Sequence, residues 1–197
     1  GLKPTRFTLK KVNKKKINVG MSTRFVEGKK ILNLIKLIKY NYDYNNLPLR
    51  MSIIGKGTDY KKIKIYIKSL KLDKYIYLDT IQNEKELDKW NSNLSIYLHF
   101  SEGETLSTSI IRALRAGTPL IVSNTSGLKE MIGIKKNCNG YLVNDTNYNY
   151  ILKLIKRLIE DKKLYNKFSK NSLSLFKKRY SLDYSSYKYR RLINLYR

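Results

Sequence analysis

From Lys16 onward, short apolar runs alternate with longer stretches in which apolar residues recur every three or four positions. KINVGMS precedes KKILNLIKLIKYNYD, LRMSIIG precedes DYKKIKIYIKSLKL, KYIYLDT precedes NEKELDKWNSN, LSIYLHF precedes TSIIRALRAG, and PLIVSN precedes GLKEMIG. The short runs have the length and composition of strands, and the longer ones have helical periodicity. GYLVN predicts a sixth strand. Ile151, Leu152, Ile155 and Leu158, followed by Leu164, Phe168, Leu173 and Phe176, predict two closing helices over 148 to 178, and SLDYSSYKYRRLINLYR continues in a basic, aromatic helical register. Alternation of this kind predicts βαβ units. The expected fold is α/β: a Rossmann-like, three-layer α/β/α domain over 17–197 with a mainly parallel sheet of about six strands. Residues 1–16 hold seven basic residues, no acid and little periodicity, and read as a linker or tail.

Composition narrows the picture only a little. At 197 residues and 42% hydrophobic content the chain can bury one full core. No apolar run reaches membrane-spanning length, and residues 1–16 lack the apolar centre of a secretory signal. The chain begins at Gly rather than Met, as a piece of a longer protein would. Cys138 is the sole cysteine, which excludes an intrachain disulfide and fits a reducing compartment, so a cytoplasmic location is expected. Forty-one Lys and Arg against 15 Asp and Glu give a formal charge of +26, enough to attract phosphates or anionic membrane at long range. Much of this charge is expected to be solvated surface. Specific nucleic-acid binding is not expected, because the cations are dispersed and no zinc-finger, RNP or helix-turn-helix pattern accompanies them.

Candidate chemistry concentrates in residues 101–132, SEGETLSTSIIRALRAGTPLIVSNTSGLKEMI. A Ser/Thr-rich loop opens a short helix near Ser107, AGTP closes it, and a strand follows. Unpaired N–H groups and the positive end of the macrodipole make the segment Thr105, Leu106, Ser107 and Thr108 a site for phosphate. Glu104 beside it would repel phosphate, so a functional role requires it to face donors such as sugar hydroxyls. Arg24 and Lys29 lie on the first strand-to-helix loop, where open α/β sheets bind ligands. Gly55 and Gly57 provide a tight turn at the second strand's end. His99, the only histidine, ends the fourth strand and reads first as a packed or satisfied polar group. No Cys/His or carboxylate cluster has metal-ligand spacing, so neither a metal nor a cofactor is expected.

The segment and its flanks resemble the nucleotide-sugar-binding half of retaining glycosyltransferases of the GT-B fold, glycosyltransferase family 4 in particular. In that family's run P-S-x-x-E-G-x-x-x-x-x-x-E-A-x-x-x-G-x-P, followed by a strand and G-G-x-x-E, residues Ser101, Glu104, Ala113, Gly117, Pro119, Gly127 and Glu130 fall in register. Phe100, Thr105, Arg112 and Ser126 do not. NVGMSTRFVEGKK is similar to the family's strand-G-R-L-V-x-E-K-G loop, MSIIGKGTDY to its strand-G-x-G-x segment, and KYIYLDTIQNEKELDKWNSNLSIYLHFS to the stretch that follows, with Asp79 and Ser95 replacing the usual Gly and Asp.

The resemblance implies a hexose transferred with retention from a nucleotide diphosphate sugar to a glycan or lipid-linked acceptor. It implies that Arg24 and Lys29 neutralise the leaving diphosphate and Glu104 contacts the hexose. Nucleotide contacts would come from Gly55, Gly57, Ile81, residues 105–108 and Arg112. It also implies an acceptor domain preceding this one, a C-terminal helix crossing to that domain, and a location in the cytoplasm or on the inner face of the membrane. Arg112 stands where the family carries a ribose-binding glutamate, and an arginine has no acceptor. It either weakens nucleotide binding, turns to the diphosphate, or marks a loss of catalytic competence. The other readings are a non-catalytic glycosyltransferase-like binding or scaffolding module, and a basic surface protein for nucleic acid or membrane.

Overall fold

A computed structural model describes residues 1–4, 12–81, 83–133 and 135–195. Six strands, β1 (Ile17–Ser22), β2 (Leu49–Ile54), β3 (Ile76–Asp79), β4 (Ile96–His99), β5 (Leu120–Ser123) and β6 (Gly140–Val143), form one sheet in the order β3-β2-β1-β4-β5-β6. Each pairing is parallel. The helices are α1 (Ile31–Tyr44), α2 (Tyr60–Ser69), α3 (Glu84–Asn93), α4 (Thr108–Arg115), α5 (Ser126–Lys129), α6 (Tyr148–Glu160), α7 (Lys162–Leu175) and α8 (Leu182–Leu195). A π-helical turn, Phe176–Tyr180, separates the last two. The architecture is the expected Rossmann-like one. None of the described helices is long and apolar enough to cross a membrane.

Burial follows sheet order. Every residue of the central strands β4 and β5 is buried, whereas the edge strands β3 and β6 each bury only part of their length. A strand sandwiched between two helical layers has no solvent face, which is why these segments read as continuous apolar runs. On one side of the sheet, Leu34, Ile35 and Ile38 of α1, Ile63 and Ile67 of α2, and Ile151, Ile155 and Leu158 of α6 share a core with β1 and β2. On the other side, Ile110, Ala113 and Leu114 of α4 pack with Leu128, Met131 and Phe176. Hydroxyls of α7 seal the turn after α4: Ser169 donates to the Gly117 carbonyl at 2.6 Å and Ser172 to that of Thr118 at 2.9 Å.

Residues 5–11, the middle of the expected linker, lie outside the described residues. At its start, Leu2 donates to the Tyr180 carbonyl and accepts from the Leu182 amide, so this end of the chain is bonded to the junction before α8.

What the topology does for function is set by β1. The chain leaves β1 toward β2 on one side, while β4 pairs on the other. The loops leaving the C-terminal ends of β1 and β4 therefore diverge, and a crevice opens between them.

Candidate functional site in the crevice between β1 and β4

That crevice is a cleft of about 540 Å3 lined by Ser22, Thr23, Arg24 and Lys29 from one loop and by residues 103–109 from the other. The α4 end is built as its sequence implies. Ser107 is the N-cap, its Oγ accepting from the Ile110 amide, and it also shares a 3.0 Å hydrogen bond with the Ser109 hydroxyl. The first amides of α4 thus open onto the cleft with the positive end of the helix dipole behind them.

The β1 wall is held from below. Tyr97, fully buried, accepts from the Ser22 amide at 3.0 Å and donates to the Ser22 carbonyl at 3.1 Å, which ties the end of β1 to β4. Burial pushes the tyrosine hydroxyl up, so it remains protonated and able to donate. Beyond it the loop carries Arg24, which is exposed and forms no ion pair among the described residues, and Lys29.

Glu104 is the electrostatic centre of the site. Its Oε1 accepts from Lys29 Nζ at 2.5 Å and from His99 Nε2 at 2.9 Å. The pair is largely shielded: the side chains of Lys29 and Glu104 are 18% and 12% exposed. Burial pushes the carboxyl up, but the His99 hydrogen bond, Lys29 and Ser107 outweigh it and hold the group at about 2. Glu104 is therefore an ionised acceptor, and His99 must present Nε2–H to it. A cation sits on the carboxylate, beside the first amides of α4.

Of the residues expected at the site, Arg24, Lys29, Glu104, Thr105, Leu106, Ser107 and Thr108 come together. Gly55, Gly57, Ile81 and Arg112 do not line the cleft. Gly55 and Gly57 stand behind the β1 loop, where a Cβ would fall on the carbonyl oxygens of Thr23 and Phe25 respectively. The Phe25 amide bonds the Lys56 carbonyl at 2.8 Å. Their role is close approach of two backbones, which holds the Arg24 loop in place. Ile81 is half-buried on the β3–α3 connection.

Arg112 lies outside the cleft lining and is held elsewhere. Its guanidinium turns to α3, pairing with Glu84 at 2.5 Å and reaching Asp88 at 3.5 Å, while Arg115 also binds Asp88. Two acids on the exposed side of α3 attract both arginines of α4, and no diphosphate is needed to explain the orientation. The arginine beside it holds the Glu84 carboxyl below its ordinary range.

Sequence reasoning left out Tyr97 and Ser109, and read His99 first as a packed or satisfied polar group, with a role beside the Glu104 loop as the alternative. The signal for Tyr97 and His99 was present: residues 97 and 99 lie on one face of a strand by the two-residue period, and 99 is the last strand position before the Glu104 loop. A second cavity, about 360 Å3, lies against β1, β2 and β3 beneath α3, lined by Asn18, Arg50, Tyr75 and Trp90 among others.

Comparison with known proteins agrees with this fold. The chain is 26% identical over 149 residues to poly(glycerol-phosphate) alpha-glucosyltransferase of Bacillus subtilis (strain 168), covering 74% of this chain and 22% of that protein. Its fold superposes with a TM-score of 0.78 on a point mutant of S. aureus TarM, crystallised with fondaparinux, α-GlcNAc-glycerol and UDP, at 23% identity, over 95% of this chain and 37% of that one. It also superposes with a TM-score of 0.69 on the C-terminal domain of LpcC, a glycosyl transferase group 1 family protein of Francisella tularensis, at 23% identity, over 84% of this chain and 87% of that one. The chain thus spans about a fifth of the curated relative and somewhat over a third of the TarM chain. Residues 4–174 match the glycosyl transferases group 1 family, to which this chain belongs.

Proposed function

We propose that the chain is the C-terminal, donor-binding half of a retaining glycosyltransferase of the family 4 type, with the GT-B arrangement completed by an acceptor domain elsewhere in the longer protein. The observation that carries this reading is the cleft itself. Arg24, Lys29 and the start of α4 make one wall-to-wall anion site, and an ionised carboxylate, Glu104, stands within it. A nucleotide diphosphate sugar satisfies both halves: its phosphates take the cations and the amides, and its hexose hydroxyls donate to Glu104.

The chemistry follows from charge. Breaking the bond between the anomeric carbon and phosphate leaves negative charge on the departing diphosphate, and Arg24, Lys29 and the α4 dipole are positioned where that charge grows. Lys29 pairs with Glu104, and a bound diphosphate competes for it. The acceptor, a glycan or lipid-linked hydroxyl, approaches from the other domain, and this half by itself transfers nothing. The exposed Tyr189, Leu192 and Ile193, on one side of α8, support that view by offering an apolar face for the rest of the protein. The reading assigns the protein to the cytoplasm, with its basic surface in peripheral contact with anionic membrane on the inner face, and it needs neither metal nor cofactor.

A second reading, a non-catalytic binding module, draws on Arg112, which serves the α3–α4 contact and offers a nucleotide nothing. Calorimetry with UDP- and GDP-hexoses separates the two. The donor-site reading expects saturable one-to-one binding of one nucleotide series, weakened by about 1–3 kcal/mol in each of Arg24→Ala and Lys29→Ala. Absence of binding by both series, or unchanged affinity in both variants, refutes it.

A further inference from the structure

We infer that His99 is a positioning residue for the donor sugar: its Nε2–H fixes Glu104 in the orientation that receives hexose hydroxyls, and it keeps hold of Oε1 once Lys29 moves to the phosphate. The inference rests on the donor-site reading above.

The geometry carries it in three steps. First, His99 is rigid. It is 1% exposed, ends β4 in register with Val122 of β5, and stacks on Tyr97 with ring centroids 6.1 Å apart and planes 16° from parallel. Tyr97 is itself bonded to the Ser22 backbone. A donor in such a frame fixes whatever it binds.

Second, Lys29 and His99 bind the same oxygen of Glu104, Oε1. Acceptor sites on Oε2 therefore remain for a ligand, with the carboxylate plane set by the pair. Lys29 is a flexible cation that the diphosphate also attracts. When it leaves, its hold on Oε1 is lost, and His99 is the donor that stays on that oxygen, with the Ser107 hydroxyl beside the same carboxylate.

Third, the histidine is retained at a cost. Its other ring nitrogen, Nδ1, is buried and has no hydrogen-bond partner among the described residues. An unmet buried polar atom is unfavourable, and a phenylalanine would fill and stack in this position without it. Packing alone does not account for an imidazole here, whereas a single directed bond to Glu104 does.

The test uses His99→Phe, which keeps the ring and removes the donor, and His99→Gln, which restores an N–H donor. Calorimetry with UDP and UDP-glucose measures how much the hexose adds to binding. In His99→Phe the added affinity from the hexose is expected to fall about tenfold while UDP itself changes little, and His99→Gln recovers part of the loss. Equal losses for UDP and UDP-glucose would indicate a merely structural role and overturn the inference.

A ligand-free readout keeps the inference testable if the donor-site reading fails, that is, if the wild-type chain binds neither compound. Carbon NMR of the Glu104 carboxyl should find it at about 2 in the wild type. It should rise in His99→Phe, because a hydrogen bond to the charged form is lost. An unmoved Glu104 titration in His99→Phe overturns the inference regardless of any ligand.

Discussion

Replacing Glu104 by Gln should strengthen the binding of UDP, an unusual outcome for the removal of a conspicuous site residue. Lys29 is held at 2.5 Å by a carboxylate that is 12% exposed, so the pair is shielded enough for the bond to matter. A hydrogen bond to a charged group is worth about 1.5–3 kcal/mol, and the diphosphate must displace it to use Lys29. Glutamine still accepts from His99 and Lys29 but only as a neutral group, so part of the competition disappears. A release of about 1–2 kcal/mol corresponds to about 5- to 30-fold tighter UDP binding. Loss of carboxylate–phosphate repulsion acts in the same direction. The assay is calorimetry of both forms with UDP at physiological and at raised ionic strength, where screening should shrink the difference. With UDP-glucose the advantage should vanish, because the neutral amide is a poorer acceptor for hexose hydroxyls. Equal or weaker UDP binding by Glu104→Gln would refute the exchange of Lys29 between carboxylate and phosphate.

Glu104 should also shape acid stability. Its folded-state carboxyl lies at about 2, below its ordinary value, so its stabilisation is fully present above the unfolded value near 4.5 and is lost as pH falls toward 2; urea unfolding of wild type and Glu104→Gln across this window should differ least at the acid end. Arg112→Glu should lower Tm by a few degrees, since it sets a third acid against Glu84 and Asp88, and leave UDP affinity unchanged; altered UDP binding would return Arg112 to the site. Gly127→Ala places a Cβ on the Glu104 carbonyl oxygen, so the loop must shift, and both Tm and the contribution of the hexose to binding should fall in the same variant.

The order of elements and the parallel sheet were legible because parallel strands between helical layers announce themselves by continuous apolar runs. Ser107 was legible as the start of α4 for a local reason: a hydroxyl N-cap needs only its own next turn. Contacts made by packing were not. Arg112 meets Glu84 and Asp88 across 28 and 24 residues of chain, and only the docking of α3 on α4 brings them together. The motif position suggested a nucleotide contact, and the inter-helix pairing that Arg112 makes is set by packing that the motif does not encode. Gly55 and Gly57 looked like a ligand-facing turn, yet what they accommodate is the backbone of Thr23 and Phe25, a neighbour no local pattern encodes. His99 is five residues from Glu104, but their bond depends on how the intervening loop folds back over the strand end.

Amide hydrogen exchange of the wild-type chain with and without UDP-glucose tests the central claim most directly, because it locates the ligand as well as detecting it. The account predicts added protection in residues 22–29 and 103–109, the two loops of the cleft between β1 and β4, with none in the second cavity around Asn18, Arg50 and Trp90. Protection confined to that second cavity, or no protection at a concentration that saturates binding, would contradict the assignment of this cleft as the donor site.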